Sequence, residues 1–343
     1  MVVLMYDIEN PDRPSASVHS YLIRKYEDFL LTNERRDAFN TLLHNLTTTI
    51  TNSFPEARIA TYGSFGAGVA VSRSDLDVSV SLPIPKEREL ATARKLVSIL
   101  SKAGYRDAHY APVKNMWCVF GSDTNLHVKF DITLNQPNGS IVTSIVRSVA
   151  ENQVTARRLI VLVKEFAKCQ NINSASKGTL SSIAYCFLCI YFLIKCKILP
   201  QVEEINDLLS DEERVEKIDD LLGKYQASTL NFEPTPSPLL SDLLYSFFRF
   251  YTQDFDFKVP AVSLSHAGLV RKADFGWPHT DLEGNVILEN QVVILNPYGT
   301  ENMSQSVNVD GIRRIEGAFK AAREILLDGR AKGIFHKLPE PKQ

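Results

Sequence analysis

The residues best suited to chemistry in this chain are three aspartates and one glycine–serine turn. Asp75 and Asp77 stand two apart, with Leu76, Val78 and Val80 alternating against them and against Ser79 and Ser81. In a strand, that spacing sends both carboxylates out of one face and the aliphatic residues into a core. Two carboxylates held about 7 Å apart along a backbone repel each other, and a divalent cation between them removes that cost. Asp131 lies in a second alternating run, where Val128, Phe130, Ile132 and Leu134 interleave with Lys129, Asp131 and Thr133. It presents a third carboxylate on the polar face of a neighbouring strand. Three hard oxygen donors suit Mg²⁺, which keeps waters and takes up substrate phosphates. Alone, these residues also read as ordinary strand-edge acids. The turn before them shifts the balance: Tyr62-Gly63-Ser64-Phe65-Gly66-Ala67-Gly68 follows an apolar strand and precedes Asp75 closely. Its glycines let the backbone approach a phosphate chain, and the Ser64 hydroxyl with nearby N–H groups can donate to it. It is neither a Walker A loop, which needs Gly-Lys-Ser/Thr, nor G-x-G-x-x-G. A phosphate-holding turn, an Asp pair and a third Asp together make a layout for nucleotidyl transfer.

The surrounding pattern supplies elements to hold these groups. Val18 to Ile50 reads as helix, with Tyr21, Leu22, Phe29, Leu30, Phe39, Leu42, Leu43 and Leu46 near helical spacing. Strands follow at Arg58–Tyr62 and Leu76–Leu82, then a helix over Glu87–Ala103 closed by Gly104, then strands around Met116–Phe120 and His127–Leu134. From Ile141 the pattern is helical: Ile141–Ala150, Thr155–Cys169, Leu180–Cys196, Leu239–Phe250 and Gly311–Leu327. Glu233–Pro238 is a proline-punctuated loop. These elements predict an α+β chain, with a mixed α/β domain over 45–140 and a discontinuous helical domain from 1–44 and 141–343.

Composition bounds the rest. The 343 residues carry 38 Lys and Arg against 40 Asp and Glu, a net charge of −2, with 44% hydrophobic and 23% charged residues. Such a chain is neither disordered nor collagen-like nor a disulfide miniprotein, and it is not coated in positive charge for broad nucleic-acid binding. The charge is unevenly spread. Ile141 to Pro200 holds eight bases against Glu151 and Glu165, while Gln201 to Asp220 holds nine acids against two bases and reads as a solvated face or loop. Of five cysteines, Cys186 and Cys189 form a C-x-x-C inside the apolar run Ile183–Ile194. Without a redox context or a second ligand pair, they read as core. That run is shorter than the roughly 20 residues a membrane span needs, so no membrane association is expected. Met1–Ser20 shows neither a signal-peptide apolar region nor a transit-peptide character.

On the residues just described, the chain resembles the DNA polymerase beta-type nucleotidyltransferases, and within them the non-canonical poly(A) polymerases and terminal RNA uridylyltransferases. Tyr62 to Gly68, Arg73 to Val78 and Phe130 to Ile132 carry the superfamily likeness. Leu159 to Lys168, Gln170 to Ser174, Gly178-Thr179-Leu180-Ser181-Ser182 and Asn296-Pro297-Tyr298 narrow it to the subgroup. The compact size is similar to the small trypanosomal uridylyltransferases of editosome-like complexes. The resemblance implies a polymerase beta-like α/β domain plus a mostly helical C-terminal domain, with the active site in the cleft between them. It implies that Asp75, Asp77 and Asp131 bind two Mg²⁺ ions, with Mn²⁺ able to substitute, and that Asp131 helps deprotonate an RNA 3′-hydroxyl. Gly63 and Ser64 would hold the triphosphate of UTP. Lys164 and Lys168, one turn apart on a helix, would reach its β- and γ-phosphates, as would Ser182; the same pair also reads as a solvated basic stripe. The implied partners are an RNA 3′ end, UTP and proteins of an RNA-processing complex, in a mitochondrial or alternatively a cytoplasmic setting.

Base- and ribose-reading positions depart from the family. The tyrosine that stacks on the base is Ile183, which gives up roughly 1–3 kcal/mol of stacking. The ribose-reading asparagine is Val142, followed by Thr143, and the resemblance implies nucleotide contacts at Thr143, Ile183, Asn296 and Tyr298. The Asp-Pro-Phe/Tyr-Glu of uridylyltransferases is Asn296-Pro297-Tyr298-Gly299, and a histidine used by some relatives is Asn302. The expected activity is UMP addition to RNA 3′ ends. ATP-using polymerisation, a catalytically silent RNA-binding scaffold and a small-molecule nucleotidyltransferase are the alternatives.

Overall fold

A computed structural model describes residues 14, 16–113, 116–135, 137–203, 211–232, 238–266, 270–275, 291–297 and 302–337. The chain divides into two compact units, Leu30–Arg147 and Met1–Phe29 with Ser148–Gln343. The helical pattern over 18–50 is two helices, α1 (Ala16–Phe29) and α2 (Asn33–Thr51), one in each unit. The break comes where Thr32 takes extended backbone and its hydroxyl accepts from the Arg35 N–H at 3.2 Å, capping α2.

The unit 30–147 is built on a five-stranded sheet. In chain order it runs β1 (Arg58–Tyr62), the one-turn α3 (Gly63–Gly66), β2 (Leu76–Ser81), α4 (Glu89–Lys102), β3 (Arg106–Val113), β4 (Met116–Asp123) and β5 (Val128–Leu134). Then comes α5 (Pro137–Asn152). The strand order is β1-β2-β5-β4-β3, and β2 with β5 is the one parallel pair. One face is the core: Leu76, Val78, Val80, Phe130, Ile132 and Leu134 meet Phe39, Leu42, Leu46 and Ile50 of α2 and Ala93, Leu96 and Leu100 of α4. Each such fully buried side chain contributes roughly 1.5–3 kcal/mol, which fixes the register, since a one-residue slip would turn the apolar set outward. β3 lies outside the expected strands. It is an edge strand with largely exposed residues, Pro112 near its end and an irregular register between Arg106 and His109, so it lacks the alternation that marks a strand.

In the other unit, α6 (Val154–Cys169), α7 (Ser182–Lys195), α8 (Asp211–Leu230), α9 (Leu240–Arg249) and α10 (Val309–Leu327) join α1, with a two-stranded pair of β6 (Pro260–Ala261) and β7 (Val270–Arg271). Its centre is aromatic: Phe166 packs edge-on to Phe248 at 4.8 Å, and Phe247 lies 5.5 Å from Phe319. The apolar run expected as core is α7, buried from Ala184 to Leu193, and burial pushes the Cys186 and Cys189 thiols up. Part of the acidic stretch expected as a solvated face or loop is helical: α8 buries Ile218, Leu221 and Tyr225 along one stripe while Asp219 and Asp220 stay exposed. Residues 204–210 of that stretch, and 233–237 of the proline-punctuated loop, lie outside the described residues. No helix among the described residues is long and apolar enough to cross a membrane.

Candidate active site

The polar face of the sheet carries one row of side chains across five strands. Register pairs Tyr62 with Asp77, Asp77 with Asp131, Asp131 with Phe120, and Phe120 with His109. In-register residues on neighbouring strands project to the same side, about 4.8 Å apart. Two of the three expected carboxylates are therefore direct neighbours, and Asp75 stands exposed immediately before β2. Its approach is shaped by Ser74, whose hydroxyl accepts from the Val71 N–H at 3.0 Å while its own N–H returns to the Val71 carbonyl at 2.9 Å. Burial pushes the Asp131 carboxyl up to about 6, helped by the charge of Asp75 and opposed by His109 and Lys129. Burial and the Asp77 charge likewise raise the Tyr62 phenol, which hydrogen-bonds the Thr133 side chain.

Among the described residues no three His, Cys, Asp or Glu side chains stand close enough together to form a ready-made metal cage. The donor set nevertheless fits a hard cation. Its oxygens are all carboxylate, and the charge of Asp75 adds to burial in raising the Asp131 carboxyl, a cost that a bound cation would remove. An open set of this kind matches Mg²⁺, which retains water, better than an enclosed site.

The turn is held against this row by glycine geometry and by α5. Gly63 takes φ +62°, and a Cβ there would fall 2.7 Å from Asp77 Cγ and closer still to its carboxylate oxygen. Only glycine lets the turn and the carboxylate approach this closely. The Gly63 N–H donates to the Thr143 hydroxyl at 3.1 Å, and that hydroxyl donates to the Gly139 carbonyl at 2.7 Å. One turn further along α5, Arg147 Nε donates to the Gly66 carbonyl. Thr143 was expected as a nucleotide contact; the structure places it buried, with its hydroxyl engaged by the turn. Val142 is buried beside it. Arg147 is one of the eight bases counted over Ile141–Pro200, but its bond to the turn was not read from the sequence, and its i+4 spacing from Thr143 was the available signal. Ser64 sits half-buried in the turn, above a Phe65 ring that packs 5.0 Å from Phe39.

The remaining expected contacts lie in the other unit. Lys164 is buried on α6 and its charge acts on Cys186 and Cys189 of α7, whereas Lys168 is exposed. Ser182 begins α7, exposed, and accepts from Asn173 Nδ2 at 2.8 Å; Ile183 is half-buried next to it. The loop before α7 is locked to α10. Gly178 takes φ +76°, its carbonyl accepts from the Asn308 N–H at 3.1 Å, and a Cβ on Gly311 would fall 2.7 Å from the Gly178 carbonyl carbon. Asn296 is buried, and Tyr298 and Gly299 lie outside the described residues. Asn302 is buried and tied to backbone: its Oδ1 accepts from the N–H groups of Ile294 (3.1 Å) and Ser304 (2.9 Å), and its Nδ2 donates to the Val292 carbonyl (3.1 Å).

Residues 18–151 match the family model described as "Poly(A) RNA polymerase, mitochondrial-like, central palm domain", and residues 239–302 match that of the "Cid1 family poly A polymerase". The terminal uridylyltransferase cid1 of Schizosaccharomyces pombe is 25% identical over 84% of this chain and 74% of its own length. The poly(A) RNA polymerase cid11 of the same yeast is 22% identical over 91% of this chain and 63%, less than two thirds, of its own. A solved structure of Cid1, an RNA terminal uridylyl transferase, has a TM-score of 0.75 at 23% identity and covers 95% of this chain and 99% of that one. A histidine-to-asparagine variant of Cid1 bound to MgATP has a TM-score of 0.76 at 21% identity, covering 94% and 99%. These structures share the fold of this chain.

Proposed function

The chain belongs to the terminal uridylyltransferase and non-canonical poly(A) polymerase family, enzymes of template-independent nucleotidyl transfer, and from that premise we propose that it adds UMP from UTP to RNA 3′ ends with release of pyrophosphate. The observation that carries the reading is the in-register pair Asp77–Asp131 beside the φ-positive Gly63 turn. Asp75, Asp77 and Asp131 would hold Mg²⁺. When bound, the cation neutralises triphosphate charge and acidifies the 3′-hydroxyl. The protein's own groups do the rest. The N–H groups and hydroxyl of the Gly63–Ser64 turn hold the triphosphate at one end of the row, and the family resemblance assigns Lys164 and Lys168 to its β- and γ-phosphates. Asp131 orients the 3′-hydroxyl and accepts its proton as the oxygen bonds the α-phosphorus and the bond to pyrophosphate breaks on the opposite side. Ile183 covers the base. UTP as the nucleotide is supported by the terminal uridylyltransferase among the relatives.

A second reading, ATP as the nucleotide, is favoured by Asn302. The family resemblance sets it where some relatives use a histidine, and a similar structure is a histidine-to-asparagine variant of Cid1 bound to MgATP. Incubation of the protein with a labelled RNA primer and each nucleoside triphosphate in turn tests both. Extension by UTP is expected; extension by ATP and not UTP transfers the assignment to the second reading. Asp75→Ala should abolish extension, and activity surviving it would remove the carboxylates from the chemistry.

A further inference from the structure

The row that carries the carboxylates continues past Asp131 to an aromatic pair with no part in holding the nucleotide. Phe120 on β4 is the register partner of Asp131, and His109 on the edge strand β3 is the register partner of Phe120. Their rings are stacked, with centroids 5.2 Å apart and planes 24° from parallel. Neither is spent in a core: Phe120 is half-buried and His109 exposed, although β4 and β5 bury large residues on the opposite face. An exposed stacked pair presents an open π-face, the surface on which an unpaired base settles irrespective of its identity.

Position in the row says which base. The triphosphate-holding turn adjoins Asp77, on the β1–β2 side of the paired carboxylates. In-line displacement puts the entering and leaving oxygens on opposite sides of the phosphorus. Pyrophosphate leaving toward the turn therefore requires the acceptor hydroxyl to arrive from the β4–β3 side, where the aromatic pair stands. At about 4.8 Å per strand, Phe120 lies about 5 Å and His109 about 10 Å along the row from Asp131. The adjacent row of the same face pairs Lys129 with Ser122 and Ser122 with Arg106. Lys129 and Arg106 are exposed cations suited to a phosphodiester, and Asp107 on the irregular stretch of β3 is near, accepting from Ser122 at 3.3 Å.

We propose that Phe120 and His109 form the stacking platform for the 3′-terminal base of a single-stranded RNA acceptor, with Lys129 and Arg106 flanking its backbone. The assignment rests on the RNA-extending function above and adds to it the residues that seat the acceptor. One stacked base is worth enough to change acceptor affinity about tenfold. His109→Ala should therefore raise the KM for a short oligoribonucleotide about tenfold while the KM for UTP moves less than twofold, and His109→Trp should restore it. His109 is exposed, so the melting temperature should hold; Phe120→Leu serves as the second variant, checked by melting. On an acceptor with an abasic 3′-terminal residue, wild type and His109→Ala should become equal. A 2-aminopurine at the 3′ end, mixed with protein without nucleotide, should be quenched by the wild type and not by His109→Ala. Unchanged RNA KM and unchanged quenching in the variants, with extension intact, would overturn the platform alone. Failure of the wild type to extend RNA with any nucleotide would overturn the function it rests on, and the quenching result would still decide the platform.

Discussion

Gly63→Ala and Gly68→Ala separate two consequences of one kind of substitution. Both glycines take a left-handed backbone, φ +62° and φ +70°, where a side chain costs roughly 1–2 kcal/mol. A Cβ on Gly68 meets nothing within 4 Å, whereas on Gly63 it falls 2.7 Å from Asp77 Cγ and nearer to the carboxylate oxygen. Regaining an ordinary 3.4 Å contact requires the Asp77 carboxylate to retreat by about 1 Å. A displacement of that size at a reacting centre costs about 10²-fold in rate. Both variants should then melt a few degrees lower, as a loss of 1–2 kcal/mol implies for domains of this size. Only Gly63→Ala should lose about 100-fold in kcat for nucleotide incorporation, measured as initial rates at saturating RNA and nucleotide beside circular-dichroism melting. Gly68→Ala should stay within about threefold of the wild type. If Gly63→Ala keeps a third of the wild-type rate, or if both variants lose activity alike, the close approach of turn and carboxylate is not what positions Asp77.

Thr143→Val removes the acceptor of the Gly63 N–H and leaves a polar group uncompensated, a cost of about 1–3 kcal/mol; kcat should fall about tenfold and Thr143→Ser should recover it. Asn302→His breaks the bonds to Ile294, Ser304 and Val292 and should lower the melting temperature by several degrees; an unchanged melting curve would show that Asn302 does not anchor this loop. Burial lowers the Lys272 amine from its ordinary 10.5 to about 8, so both folded and unfolded chains hold its proton below pH 8. Between about pH 8 and 10.5 the unfolded chain binds the extra proton, so this residue's contribution to stability rises with pH; Lys272→Met should flatten that part of a urea-denaturation profile. Discrimination between UTP and ATP, read as a ratio of kcat/KM, should be about 10²-fold or less, and a ratio above 10⁴ would mean that the base is read by hydrogen bonds rather than merely covered.

What was legible in the sequence follows from how local each cause is. The faces of Asp77 and Asp131 were readable because the period of two in Leu76–Val80 and Val128–Leu134 is imposed by the residue's own strand. That Asp131 stands on a neighbouring strand was read from the same pattern, but the register that sets it against Asp77 was not, because β2 meets β5 across an intervening α4, β3 and β4 and no residue in either strand encodes the pairing. β3 went unseen for the opposite reason: on this edge strand only Ala108 and Tyr110 pack against the core and the ends are exposed, too short an alternation to mark a strand. In α8 the acidic composition concealed a stripe that, among the described residues, is Ile218, Leu221 and Tyr225, enough to seat a helix but too sparse to dominate a window. Val142 holds the spacing of a ribose contact and Thr143 follows it, and what the Thr143 hydroxyl does was settled by the approach of α5 to a turn 80 residues earlier.

The same distinction separates the phosphate chemistry from the reading of the base. Holding phosphates and a cation depends on backbone N–H groups, a left-handed glycine and carboxylates in register, all of which survive large changes elsewhere in a chain. Reading a base depends on side chains with unspent hydrogen-bonding capacity on loops. At Asn302 that capacity is turned inward: one oxygen serves two backbone N–H groups and the Ser304 hydroxyl, and the amide nitrogen serves the Val292 carbonyl. Rotating the side chain toward a base would strand those buried groups, at about 1–3 kcal/mol each, more than a single new hydrogen bond returns. Ile183 can cover a ring but has no donor or acceptor to offer it. On the proposed assignment of Ile183 and Asn302 to the base, such an arrangement would keep the apparatus for moving a nucleotidyl group while relaxing its hold on the identity of the nucleotide, and substitutions at these two positions should shift the base used before they abolish the reaction.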